Sequence, residues 1–224
     1  MVDEICLWIA ELVPLAATMI SFIYGIKFFF KKGVPANLQS ITMAMGCHML
    51  GTIYHIFQML TLGTLLQGFT PAYLGRIGFF LFFITASYGQ MDRIVDDGSK
   101  IYIPSRIISL IAPVLAMLLY IINLRVDEMS PSTKIAYLLV WVVAMVSVYF
   151  NLKHAIIPNL DFGFIKSTKL YNILAMCLGF SELLCLTAWN YFNNVQLIIT
   201  SVLFGVLCIA TVFAGKKGVE KWTI

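Results

Sequence analysis

The sequence predicts an all-α integral membrane protein, a bundle of seven transmembrane helices forming one domain over residues 1–224. Only 12% of the residues are charged, 60% are hydrophobic, and the mean hydropathy is +0.90. A soluble domain carries about 25% charged residues, and half that charge cannot cover a water-soluble globule. The apolar residues also fall in blocks of roughly 20, the length a helix needs to cross the hydrocarbon core. Lysine and arginine, finally, crowd into alternate connections between the blocks.

The first span is expected at about residues 5–29. It follows Met1-Val2-Asp3-Glu4, acidic where the leading region of a signal peptide is basic, so no cleavable leader is expected. Glu11 lies inside it, and Pro14, one turn on, frees the carbonyl of Ala10. The second span, 38–62, carries His48, Thr52 and His55 at i, i+4 and i+7, hence on one helix face bordered by Gly51 and Gln58. The opposite face is more apolar, so this stripe should point into the bundle. The third span, 72–91, starts with Arg76, read as snorkelling outward, and is followed by Asp92-Arg93.

The fourth span, 104–124, includes Ile107 to Ile122, which shows none of the polar–apolar alternation of a membrane barrel strand. The fifth, 135–155, ends at Lys153 and His154, the latter read as an interfacial histidine. The sixth, 168–190, carries Glu182, and the seventh is expected at 195–214 after a tight turn at Asn193-Asn194.

Orientation follows from the basic residues near span ends. One side collects Lys27, Lys31, Lys32, Arg93, Lys100, Arg106, Lys153, Lys166, Lys169, Lys216, Lys217 and Lys221, and the other only Arg76, Arg125 and Lys134. The richer side is cytoplasmic by the positive-inside bias, which sets the N-terminus outside and the C-terminus in the cytoplasm. The spacing also admits a 3+1+3 layout with the fourth span as connector. Pro35-Ala36-Asn37-Leu38 after the first span is echoed by Pro158-Asn159-Leu160 after the fifth, and Leu50-Gly51 by Leu178-Gly179.

Ionisable groups inside a membrane cost about 2.5–3.5 kcal/mol at the centre of a span and so default to functional candidates. Glu11, His55 and Glu182 are expected at one depth, roughly 9–12 Å below the outer boundary at 1.5 Å per residue, with His48 deeper. With Thr52 they would line a polar ligand site in the outer half of the bundle. Asp92 and Arg93 are candidates for a cytoplasmic gate or docking site. The same buried groups could instead form a hydrogen-bond cluster that only holds the helices together.

Several activities lack their residues. The last span has no lysine for a retinal Schiff base before Lys216-Lys217, and His48 and His55 share one face and cannot flank one haem iron. A phosphate-cradling glycine loop and a G-x-S-x-G elbow are both missing. The basic residues form no patch for nucleic acid. The cysteines, Cys6, Cys47, Cys177, Cys185 and Cys208, have no regular spacing and read as small apolar residues rather than a disulfide framework. No cofactor is expected.

The function expected from these residues is that of a small-solute permease or carrier in the plasma (inner) membrane, with the bilayer and a small solute as its partners. It leans away from an enzyme. The alternative is a seven-helix receptor acting through a cytoplasmic protein partner. A third reading is an intramembrane metal-dependent hydrolase holding zinc on His55, Glu11 and Glu182.

Overall fold

The computed structural model describes residues 4–32, 34, 36–62, 68–88, 92, 96–125, 129–157, 163–191 and 193–220, without the side chains of 163–168, 189–191 and 218–220. Regular structure among them is entirely helical: α1 (Glu4–Phe29), α2 (Ala36–Leu62), α3 (Pro71–Ser87), α4 (Ile103–Ser109), α5 (Ile111–Asn123), α6 (Pro131–Ile156), α7 (Gly163–Tyr191) and α8 (Asn194–Glu220). A 3-10 turn at Lys100–Tyr102 leads into α4, and α4 and α5 together make one apolar segment, Lys100–Asn123. The described residues therefore form seven long helical segments, counting α4 and α5 as one.

Local chemistry sets these limits. Pro71 and Pro131 occupy the first turns of α3 and α6, where the missing N–H has no intrahelical partner to lose. Ser130 caps α6 by accepting a hydrogen bond from the Thr133 N–H at 3.3 Å. At the start of α8, Gln196 N–H donates to Asn193 Oδ1 and Asn193 N–H to Gln196 Oε1, at 3.0 and 3.2 Å. This reciprocal cap fixes the start of α8 at Asn194. The α4/α5 break falls at Leu110, three residues before Pro113, whose ring crowds the carbonyl of Ser109.

Five segments are long and apolar enough to cross a membrane: α1, Lys100–Asn123, α6, residues 169–188 of α7, and most of α8. The 17-residue α3 is apolar but shorter, ending at Ser87 rather than at the expected residue 91. Although α2 is 27 residues long, Gln39, Ser40, His48, Thr52, His55 and Gln58 dilute its apolar character.

Six of the crossings close into a ring in the order α1, α2, α3, α6, α7, α8, and back to α1. The α4–α5 segment stands outside it, against α6 and one side of α7. A connector outside two groups of three matches the 3+1+3 layout. The short sequence echoes do not, however, occupy corresponding places. A Cβ on Gly51 would meet Ala72 and Gly75 of α3, whereas one on Gly179 would meet Val148 of α6. Pro158-Asn159-Leu160 lies outside the described residues.

The tightest contact in the ring joins α2 to α3. A Cβ on Gly75 would lie 2.6 Å from the Gly51 Cα and 2.7 Å from the Cys47 carbonyl oxygen. Only residues without side chains let two backbones approach this closely.

Inside and outside are inverted relative to a soluble protein. Large apolar side chains such as Ile20, Ile23, Leu81, Leu118, Ile199 and Val206 point outward and are about half exposed. The interior instead buries Glu11, Thr18, His48, Asn151, His154, Asn172 and Glu182. In water an arrangement of this kind would expose far more apolar surface than monomeric soluble proteins tolerate. In a bilayer it is the expected one. The protein is an integral, multi-pass membrane protein.

Candidate functional site

Two ends of the bundle can be distinguished, the Glu4 end, where α1, α3, α6 and α8 begin, and the Lys153 end, where they finish. A charged layer lies in the Glu4 half. Glu182 of α7 is its hub: Oε2 is 3.1 Å from His48 Nε2 of α2, and Oε1 accepts a hydrogen bond from Arg76 Nε of α3 at 2.8 Å. A second pair joins Glu11 Oε1 of α1 to His55 Nδ1 of α2 at 3.0 Å. Thr52 donates to the His48 carbonyl at 3.0 Å, and its hydroxyl lies 3.3 Å from His48 Nδ1, which fixes the imidazole edge opposite Glu182.

All five ligand-site residues expected from the sequence, Glu11, His48, Thr52, His55 and Glu182, thus converge in one layer of the bundle. Their pairing differs from the expected depths. Glu182 meets the deeper His48, while His55 pairs with Glu11. Arg76 is the residue sequence reasoning misplaced. It does not snorkel outward; its side chain is only 13% exposed and turns inward to Glu182. Two carboxylates on interior faces create a demand for a cation that snorkelling would leave unmet, and this was the signal available in the sequence.

Beneath this layer lies an apolar plug. The His48 ring packs on Phe204 of α8 and Phe79 of α3, with centroids 4.7 and 5.2 Å away. Phe79 in turn makes edge-to-face contacts with Phe80 and Phe83 at 5.1 and 4.9 Å. All four phenylalanines are fully or almost fully buried, as are Met45 and Leu178. From Arg76 to Ser87 the plug occupies about 16 Å of α3 at 1.5 Å per residue.

A second polar layer begins below the plug. Ser87 donates to Asn151 Oδ1 at 3.1 Å, and Asn151 Nδ2 to the Ser147 carbonyl at 2.8 Å. Further towards the Lys153 end, Asp92 pairs with Lys153 and, at 2.8 Å, with His154 Nε2. Asp96 takes Lys153 at 3.4 Å and Arg106 Nε at 2.8 Å. Arg106 also reaches the Ser99 carbonyl at 3.2 Å. The cluster clasps the connection after α3 to α4 and α6. His154, in the last turn of α6, is buried and paired with Asp92. Arg93, the other half of the expected gate or docking pair, lies outside the described residues.

The two aspartates carry perturbed acidities. The hydrogen bond from Arg106, helped by the Gly98 N–H and the Lys153 charge, holds the Asp96 carboxyl well below the usual carboxylate range despite its partial burial. Burial pushes Asp92 up, but hydrogen bonds from His154 and Lys153 together outweigh it and leave the carboxyl lowered.

Among the described residues no group of three or more His, Cys, Asp or Glu side chains is arranged to hold a metal ion. Of the trio His55, Glu11 and Glu182, the first two are in contact, while Glu182 is engaged by His48 and Arg76. All five cysteines are free.

No family model matches the chain, and no curated protein or solved structure shows significant similarity to it.

Proposed function

We propose that the protein is a carrier for a small charged solute, with Glu11, His48, Thr52, His55, Arg76 and Glu182 as its binding layer. The observation that carries this reading is the order of layers through the ring: paired charges, an aromatic plug, then a second set of paired charges. Ion pairs on both sides of an apolar barrier suit a bundle whose two ends open in turn, each cluster parting as the other closes.

Charge balance suggests what is exchanged. The binding layer sets two carboxylates, Glu11 and Glu182, against one guanidinium, Arg76. Neutrality in a low-dielectric interior calls for one more positive charge. A proton on His48 or His55 supplies it in the empty carrier, and a cationic group of the solute supplies it in the loaded one. Proton-coupled exchange of a small amine or amino acid follows. The guanidinium already at Glu182 favours this reading over a metal-dependent hydrolase.

The test is solute-driven current or pH change in proteoliposomes, screened over small amines, amino acids and carboxylates. A response to a cationic or zwitterionic solute that disappears in Glu182→Gln and Glu11→Gln supports the carrier. A silent screen, with a functional effect of Asp92→Lys seen only alongside a cytoplasmic partner, supports a receptor instead.

A further inference from the structure

The clasp at the Lys153 end contains a titratable group that the binding layer does not use. His154 of α6 is 1% exposed, and its Nε2 lies 2.8 Å from Asp92 Oδ1. Hydrogen bonds from His154 and Lys153 keep Asp92 ionised. A carboxylate only accepts, so Nε2 is the protonated nitrogen. Nδ1, on the other side of the ring, is buried and has no hydrogen-bonding partner among the described residues. A second proton there would leave a buried N–H unmet, so the ring is neutral and Nδ1 carries a free lone pair. One turn closer to the plug, on the same face of α6, Asn151 accepts from Ser87 of α3 and continues this polar face inward.

Charge in the clasp is already balanced. Asp92 and Asp96 face Lys153 and Arg106, two carboxylates against two cations. The helices packed on α6 are α3, α4, α5 and α7. Among their described side chains, Arg76 of α3 and Glu182 of α7 bind each other, Arg106 of α4 is already counted, and α5 has no charged residue. Lys169 of α7 is partly exposed, and Asp97 and Lys100 before α4 are exposed. Tyrosines on these elements are uncharged near neutral pH.

A proton on Nδ1 therefore makes the clasp net positive, and an uncompensated charge in a low-dielectric site is costly. The binding layer has the opposite need, because Glu11 and Glu182 face only one guanidinium. We propose that His154 Nδ1 is a proton-binding site that gates the Lys153 end: protonation parts Asp92 from the end of α6, and loss of the proton to water restores the clasp. A proton that leaves the binding layer for His154 loosens both, and its release closes the Lys153 end again. The link to the binding layer rests on the carrier reading; the proton site itself does not.

The experiment is hydrogen–deuterium exchange of the full chain in lipid nanodiscs at pH 7.5 and 6.0, corrected for the intrinsic pH dependence of exchange. The wild-type rate over the last two turns of α6 should rise about tenfold at pH 6.0, with the closed clasp still the major form. His154→Gln, which keeps a donor for Asp92 but takes no proton, should exchange slowly at both pH values. Should it fail to fold, Asp92→Asn decides: without its carboxylate the clasp should exchange fast at both. Equal wild-type rates at the two pH values overturn the proposal, as does a rise on acidification that survives in His154→Gln or Asp92→Asn. These readings use no solute. A silent solute screen therefore leaves the gate standing, and a working carrier whose clasp ignores pH strikes the gate alone.

Discussion

Arg76 and Glu182 are 106 residues apart in the chain, and a 2.8 Å hydrogen bond joins them across the interior of the bundle. Removing one member of such a pair leaves the other charged, buried and unmatched, which costs about 3–5 kcal/mol. Arg76→Gln and Glu182→Gln should each destabilise the protein by about that much. The double variant, which strands no charge on either side, should recover more than half of the loss. Reversible unfolding in sodium dodecyl sulfate measures the cycle, and additive single effects would mean that the pair is not formed.

The aromatic plug makes a separate prediction. Phe79 and Phe204 fill the space beneath His48. Truncating a buried phenylalanine to alanine costs about 3–5 kcal/mol and leaves a cavity, here between two polar layers. Phe79→Ala/Phe204→Ala should therefore let protons leak through proteoliposomes that the wild-type protein keeps tight. A dye-based leak assay reads this directly, and a tight membrane with the folded variant would show that the plug is no barrier.

The close approach of α2 and α3 should tolerate no side chain. In Gly75→Ala the new methyl would meet the Gly51 Cα and the Cys47 carbonyl, both backbone atoms that cannot rotate away. The helices must part, at about 1–3 kcal/mol for an overpacked contact. Leu74→Ala, one residue away and 54% exposed, should cost far less. Comparing the two variants by thermal denaturation in one detergent checks the contact without reference to function.

The clasp at the Lys153 end should respond to acid in a defined sense. The Asp96 carboxyl titrates lower in the folded protein than its ordinary value, which is about 3.9. A depressed folded value gives stability that is complete above the ordinary value and is lost as the pH falls towards the lowered one. The melting-temperature gap between wild type and Asp96→Asn should hold steady over about pH 5–7 and narrow below about pH 4. A gap that widens on acidification would contradict the ion pairs to Arg106 and Lys153.

Sequence periodicity exposed the crossings because bilayer thickness imposes a length on every span. It also exposed the inward stripe of α2, since three polar residues on one face of an apolar helix have no other place to go. Partner choice within the charged layer was not legible. Depth counted from span ends carries an error of two to four residues for each span, and across two spans that approaches the two turns that separate His48 from His55. Arg76 was hidden by a rule that is sound for arginines at membrane boundaries and fails where an interior carboxylate competes for the guanidinium. The clasp was hidden for a different reason: Asp92, Asp96, Arg106 and Lys153 look like ordinary boundary charges until the fold brings α4 against α6.

We propose that the paired charges of the Glu4 half form a solute-binding layer. It is tested most directly by solid-supported membrane electrophysiology on proteoliposomes, with small amines and amino acids applied to wild type and Glu182→Gln. The account predicts a saturable current in the wild type that depends on the pH gradient. Glu182→Gln should abolish that current while still eluting as a folded species. Currents that are absent for every charged solute in wild-type protein, or unchanged in Glu182→Gln, would contradict it.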